Sequence, residues 1–323
     1  MIPRPLNRGL GTSSVMNPRS SGTYDQQKYL KYSQSSLQRE ASELQRCAAL
    51  CLRTSHVLPL KVLSYDAELN VLCTERVVGD NLFNILWNNH SLSNMWSSGC
   101  KGCELTLDRM EELGVWLSQY HKSSLAEAAR SMPAEWLDQS FGRKLQLLAD
   151  KHLLKAALCE RVYSCKTLLR EVFETDDCLD ICQIHGDFTP HNVFRDTSEN
   201  VRILDFGDSR RGYHLEDVVR FWELLWSMAH ASRARQHHII EAGSKFLRGY
   251  GLDPAIIHTK SFVMLRVYNV ITNYLGFHAS KHYLSYKSQW LMWRITKESM
   301  RWLAHVSIQR SGGCECTDYK GRL

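Results

Sequence analysis

His185-Gly186-Asp187-Phe188-Thr189-Pro190-His191-Asn192, followed thirteen residues later by Asp205-Phe206-Gly207-Asp208, decides how the rest of this 323-residue chain is read. The spacing sets a carboxylate, a carboxamide and a second carboxylate where phosphoryl transfer needs them. Asp187 can orient a hydroxyl and accept its proton, while Asn192 and Asp205 can hold magnesium against nucleotide phosphates. The flanks carry as much weight as the motif. Residues 181–184 and 201–204 are short apolar runs, expected as strands. Two strand ends presenting Asp and Asn side by side build a cation site that two unrelated loops would not. The competing reading makes all three side chains capping or turn residues.

Outward from the motif, the chain divides by periodicity. Residues 27–32 alternate as a strand, and residues 35–52 have helical spacing with Leu37, Ala41, Leu44 and Ala48 on one face. Residues 57–65 and 69–78 are expected as a strand pair joined by the polar turn Asp66-Ala67-Glu68, with Gly79-Asp80 breaking the pattern. Residues 88–102 are expected as a polar surface loop, and residues 105–121 and 141–173 as amphipathic helices, the second broken once. Residues 215–306 are expected to be helical throughout. No internal repeat or low-complexity linker occurs. The implied architecture is α+β, with a small β-rich lobe, a hinge and a large helical lobe. Its expected boundaries are 1–78, 79–310 and a flexible tail at 311–323, which includes Gly312-Gly313-Cys314-Glu315-Cys316.

Composition excludes more than it identifies. Hydrophobic residues make up 44% and charged residues 23%, ordinary for a globular chain able to bury a large core. No apolar run approaches membrane-span length, and no signal-peptide hydrophobic region opens the chain, so cytoplasmic residence is expected. Residues 1–24 hold Arg4, Arg8 and Arg19, many serines and no acid, a faint likeness to a transit peptide. The net charge of +6 divides as +3 over residues 1–80, −4 over 81–204 and +7 over 205–323. Those last cations are spaced singly along helices, as on a solvated face, and no nucleic-acid module is present. The eleven cysteines are scattered; Cys47, Cys51, Cys159 and Cys165 sit in apolar helical surroundings as small hydrophobes. Cys100/Cys103 and Cys314/Cys316 are the one candidate zinc set, but their spacing suits surface loops better.

The motif run resembles the catalytic and metal-binding segments of the aminoglycoside phosphotransferase and choline kinase-like family, relatives of the protein kinases that phosphorylate small-molecule hydroxyls. Residues 111–121, ending in Tyr120-His121, are similar to the family's helix ending in Leu-His. Leu215-Glu216-Asp217-Val218-Val219 is similar to its segment whose Asp braces the catalytic loop. Thr74-Glu75-Arg76-Val77-Val78-Gly79 resembles its hinge strand. The resemblance implies a bilobal protein-kinase-like fold and an ATP- and Mg2+-dependent phosphotransferase (kinase) acting on a small-molecule hydroxyl. It further implies adenine against the Glu75–Val77 backbone, and a phosphate-positioning lysine held by a helix glutamate. Lys31 with Glu40 fits that role best, and Lys28 and Glu43 stand as alternatives. Asn7-Arg8-Gly9-Leu10-Gly11-Thr12-Ser13-Ser14 is the candidate phosphate-covering turn. No Walker-type Gly-x-x-x-x-Gly-Lys-Ser/Thr loop occurs, which excludes that route.

His185 is expected to fix the loop by hydrogen bonds; His191 and Asp208 are candidate acceptor contacts. The basic C-terminal third disfavours a polycationic antibiotic and favours a sugar-like, neutral or anionic hydroxyl compound. Tyr268, Tyr274, Trp290, Trp293 and Trp302 raise the idea of an aromatic cage for a quaternary ammonium. The three-residue spacing of Trp290 and Trp293 instead predicts a packed core face. A protein kinase is disfavoured by His-Gly-Asp in the loop and by the lack of an Ala-Pro-Glu segment after Asp205. A catalytically inactive nucleotide-binding scaffold is the alternative function, and a zinc-stabilised interaction protein a third.

Overall fold

The computed structural model describes residues 20–24, 28–33, 37–50, 52, 54–88, 101–125, 137–153, 158, 160, 162–163, 180–232, 236–280 and 286–305. β1 (Ser20–Tyr24) and β2 (Lys28–Ser33) pair antiparallel, with Tyr24 opposite Tyr29. Next comes α1 (Gln38–Ala49), which buries Glu40, Ala41, Leu44 and Cys47 below Leu37. Ala48, expected on that face, is exposed, because the buried stripe steps from Leu44 to Cys47 instead.

Residues 57–65, expected as one strand, are two. β3 (Val57–Pro59) ends where proline has no N–H to continue a ladder, and β4 (Val62–Asp66) starts afresh. β4 turns into β5 (Val71–Glu75) through Asp66, whose Oδ1 accepts from the Glu68 and Leu69 amides at 3.0 and 2.9 Å. Strand order in this antiparallel sheet is β1-β2-β5-β4, with Lys31 opposite Leu72. Gly79-Asp80, expected only as a break, belongs to a short strand, β6 (Gly79–Asn81).

Four further strands bracket the motif. β7 (Ile181–Ile184) pairs with β10 (Arg210–Tyr213), and β8 (Val193–Asp196) lies between β6 and β9 (Val201–Ile203). β3 runs parallel to β9, completing a sheet of order β3-β9-β8-β6. The loop after β7 and the loop after β9 thereby emerge beside one another.

The helices are α2 (Leu82–Asn88), α3 (Lys101–Lys122), α4 (Arg143–Asp150) after a π-helical turn at Leu137–Gly142, α5 (His214–Ala231), α6 (Gln236–Tyr250), α7 (Lys260–Ser280) and α8 (Tyr286–His305). The break expected within 141–173 falls at residues 151–153. α3 and α6 meet backbone to backbone: a Cβ at Gly114 would lie 2.2 Å from the Phe246 carbonyl oxygen, and one at Gly249 would lie 2.0 Å from that of Glu111. α5 is buried along most of its length, with Val218, Val219, Phe221 and Met228 fully enclosed.

Trp290 and Trp293 depart from expectation. They are 48% and 47% exposed, because α8 turns Ile295, Trp302 and Leu303 inward and leaves its other face to solvent. Arg294 and Lys297 cover the two indoles at 4.9 and 4.7 Å. The candidate turn at 7–14, Cys51, Cys100, Cys159, Cys165, Cys314, Cys316, the side chain of Cys103 and the tail from Ser311 lie outside the described residues. Among the described residues no His/Cys/Asp/Glu cluster of metal-binding form occurs, and no helix is long and apolar enough to cross a membrane.

Candidate active site

β7 delivers the chain into the motif through Gly186, at φ 80°, where a Cβ would stand 2.2 Å from the Asp208 carbonyl oxygen. Only glycine tolerates both the dihedral and the approach, so the two motif loops are held in backbone contact. Beneath them lies Asp217 of α5. Its Oδ2 accepts from the His185 amide (2.6 Å) and from His121 Nε2 (3.1 Å), and its Oδ1 accepts from the Gly186 amide (2.9 Å). Burial alone would raise this carboxyl, but the His121 hydrogen bond and the other donors more than offset it and hold it below its ordinary value. His121 Nδ1 in turn accepts from the Tyr250 hydroxyl at 2.8 Å. His185 donates from Nε2 to the Leu204 carbonyl (3.0 Å) and accepts the Asp187 amide on Nδ1 (3.3 Å), so both ring nitrogens are spent on loop geometry.

Asp187 and Asn192 come together. Asn192 Nδ2 donates to the Asp187 carbonyl and to Asp187 Oδ2, both at 2.9 Å. The other carboxylate oxygen, Oδ1, accepts from Arg220 Nη2 at 2.6 Å. Asp205 sits at φ 66°, ψ 61°, the left-handed region that a non-glycine residue occupies at a cost. Its Oδ1 accepts from Lys31 Nζ at 2.8 Å, and the same ammonium donates to Glu40 Oε2 at 2.8 Å. Burial by itself would lower the Lys31 ammonium; Glu40 and Asp205 override that and raise it above its ordinary value. Lys28 and Glu43 are elsewhere. Lys28 is exposed opposite Glu75, and Glu43 takes Arg46 and the Tyr120 hydroxyl, each at 3.0 Å.

Residues 75–77 run from the last residue of β5 toward β6. The Glu75 amide donates to the Lys61 carbonyl (2.9 Å), and its side chain takes the Lys61 amide and Arg202 at 3.0 and 3.1 Å. The Val77 side chain packs on the core. His191, a candidate acceptor contact, packs against α2. It stacks on Phe83 of α2 at 4.1 Å, and burial pushes its imidazole down to about 4, which keeps it neutral. Asp208 is exposed.

The donor atoms left over at Asn192 and Asp205 suit magnesium. Asn192 uses its amide nitrogen on Asp187, which leaves Oδ1, and Asp205, 44% exposed at its side chain, has Oδ2. Two oxygens of this kind suit a hard cation that takes its remaining ligands from phosphate and water. Arg220 was not singled out in the sequence, although it sits three residues past Asp217, nearly one helical turn on. Lys144, Arg210 and Tyr268 carry no local sequence signal that links them to Arg220; only the packing of α4, β10 and α7 brings them under its influence.

A family model described as the phosphotransferase enzyme family matches residues 32–252. The search of curated proteins finds no match. Among solved structures, a glucosamine kinase in complex with glucosamine, ADP and inorganic phosphate aligns with a TM-score of 0.57 at 12% identity, over 88% of this chain and 80% of that one. A choline/ethanolamine kinase family protein from Mesorhizobium loti aligns with a TM-score of 0.55 at 14% identity, over 92% and 87%. The choline kinase LicA from Streptococcus pneumoniae aligns at 0.52 and 13%, over 88% and 91%. At such identities the likeness is one of fold: a strand-rich lobe against a larger helical lobe, as in protein-kinase-like enzymes.

Proposed function

This chain belongs to the phosphotransferase enzyme family, and from that premise we propose that it transfers the terminal phosphoryl group of ATP, with magnesium, to a hydroxyl of a small molecule. The observation that carries this reading is the Lys31 ammonium held between Glu40 and Asp205 at 2.8 Å each, beside the Asp187–Asn192 pair. Lys31, fixed by Glu40, neutralises phosphate charge without solvent reorganisation. Asn192 and Asp205 hold the magnesium, which when bound screens the charge on the phosphate oxygens. Adenine lies against the 75–77 backbone, between an N-terminal lobe of residues 1–78 and a helical lobe of residues 79–310. Asp187 orients the acceptor hydroxyl and takes its proton as the oxygen–phosphorus bond forms and ADP departs.

The acceptor is a sugar-like or other neutral or anionic metabolite rather than a polycationic antibiotic, given the +7 over residues 205–323. Cytoplasmic residence fits the use of ATP and the buried free thiols of Cys47, Cys73 and Cys182. One observation favours the second reading, an inactive nucleotide-binding scaffold: both Asp187 oxygens are engaged.

Calorimetric titration of Mg·ATP into wild type and Asp205→Ala tests the site, followed by ADP release with a panel of hydroxyl compounds. Saturable binding weakened by the substitution, with acceptor-dependent ADP release, is expected. Binding without release for any acceptor would leave the scaffold. No binding to folded wild type, with GTP tested as well, would remove both.

A further inference from the structure

Beside the proposed base, the chain gathers cations. Arg220 gives one nitrogen to Asp187, while its Nε is buried and has no partner among the described residues. A guanidinium has five donor hydrogens in a planar fork, so one edge can serve Asp187 and another a second anion. Lys144 of α4 donates to the Tyr268 hydroxyl at 2.6 Å and to Thr272 Oγ1 at 2.8 Å, both on α7. Its ammonium lies 3.9 Å from the Tyr268 ring centroid, and Ser140 shares the same hydroxyl at 2.7 Å.

No carboxylate lies within ion-pair distance of Lys144 among the described residues. Asp187 and Asp208 answer Arg220, and Glu216 is spent on Arg210 (2.5 Å) and the Tyr213 amide (2.9 Å). Burial first, then the neighbouring Arg220 and Arg210, pushes the Lys144 ammonium down to about 7, with Glu216 opposing them. A mostly buried amine without a carboxylate partner, repelled by two guanidiniums, is a destabilising arrangement unless a ligand uses it.

We propose that the acceptor carries an anionic group, a phosphate or a carboxylate, which Lys144 and Arg220 hold while its hydroxyl engages Asp187. This rests on the phosphotransferase reading above and narrows its substrate class. Because Arg220 touches Asp187, an anion on the guanidinium's other edge is anchored one side chain away from the base. A cationic acceptor would meet Lys144, Arg210 and Arg220 together and be rejected by charge. A neutral acceptor would leave Lys144 uncompensated. Arg220 acts here on both partners, as a positioning residue for Asp187 and as a binding residue for the acceptor.

Glucose 1-phosphate, glucuronate, glucose and glucosamine share one ring and differ in charge. Each is titrated calorimetrically into protein saturated with magnesium and a non-hydrolysable ATP analogue. Either anionic sugar is expected to bind about tenfold or more tightly than glucose or glucosamine. The margin should vanish in Lys144→Met and persist in Lys144→Arg, and the tighter anion identifies phosphate or carboxylate. Thermal unfolding of both variants verifies that they fold. Equal or tighter binding of glucose or glucosamine would overturn the proposal, as would a margin that Lys144→Met leaves intact, or no measurable binding of either anion. The analogue's own titration judges the phosphotransferase reading separately. If the analogue does not bind, that reading fails, and the same sugars titrated into nucleotide-free protein decide the anion site.

Discussion

Asp187 is the residue on which the proposed chemistry turns, and its two oxygens differ in what holds them. Oδ1 faces the Arg220 cation, and Oδ2 faces only the neutral amide of Asn192. Replacement by Asn removes the proton acceptor but leaves Lys31, Glu40 and Asp205 untouched. Asp187→Asn is therefore expected to lower transfer by about 10²–10⁴-fold, with the Mg·ATP dissociation constant nearly unchanged, read by ADP release and calorimetry. Loss of both together would make Asp187 a structural residue. Lys144 carries the opposite kind of signature, a stability cost. Its amine is pushed down to about 7 in the folded chain from the ordinary lysine value of 10.5, by burial first and then by Arg220. Between those values the unfolded chain binds more protons, so stability rises with pH across the window, and the penalty is complete below it. Arg220, Arg210, Glu216 and the Tyr268 ring are the groups that face it. Lys144→Met should accordingly melt at a higher temperature than wild type at pH 6, with the advantage shrinking toward pH 10. A Lys144→Met midpoint that does not exceed wild type at pH 6 would mean that the amine is not destabilised there.

At the scale of elements, α5 organises the site, because one helix supplies both Asp217 under the loop and Arg220 beside Asp187. Asp217 accepts three hydrogen bonds while fully enclosed, and its depressed carboxyl stabilises the fold above the ordinary aspartate range and loses that effect as pH falls through the folded value. Asp217→Asn should remove ~3 kcal/mol, measured as a lower urea midpoint at pH 7. The gap to wild type should narrow in acid, where the wild-type carboxylate also protonates. The segments legible in the sequence were those with strong local periodicity. The runs that became α1, β7 and β9 could be read, and so could the helical character from α5 to α8. β8 and β10 could not, since Val193-Phe194-Arg195-Asp196 and Arg210-Arg211-Gly212-Tyr213 carry charges where a strand core is expected. Lys31 and Lys28 lie three apart on one strand and so point to opposite faces of the sheet, and only the approach of Glu40 and Asp205 to Lys31 marks which face is the site. Arg220 had a usable local signal in its spacing from Asp217. Lys144 had none, because its neighbours come from α5, α7 and β10.

For the whole molecule, pairing and packing cross the lobe boundary proposed at residue 78. β3 comes from the first 78 residues, yet its ladder runs parallel to β9 beyond them. Glu112 of α3 reaches back to the same segment. Its Oε2 accepts from Thr54 Oγ1 and the His56 amide, both at 2.9 Å, and Oε1 meets His56 Nδ1 at 2.9 Å. Trp116, fully buried, donates from Nε1 to the Leu52 carbonyl at 2.8 Å. The family match itself begins within β2 and ends past α6, across the proposed boundary. A fragment of residues 79–310 would lose the β3 edge that covers β9 and would expose Val201, Ile203 and Trp116, leaving a sheet edge and an apolar patch open. It is expected to show no cooperative thermal transition by circular dichroism, whereas a fragment beginning at residue 37, which retains α1 and β3, should keep one. Cooperative unfolding of the shorter fragment would mean that the helical lobe folds without β3, and that the β3–β9 pairing joins two independent units.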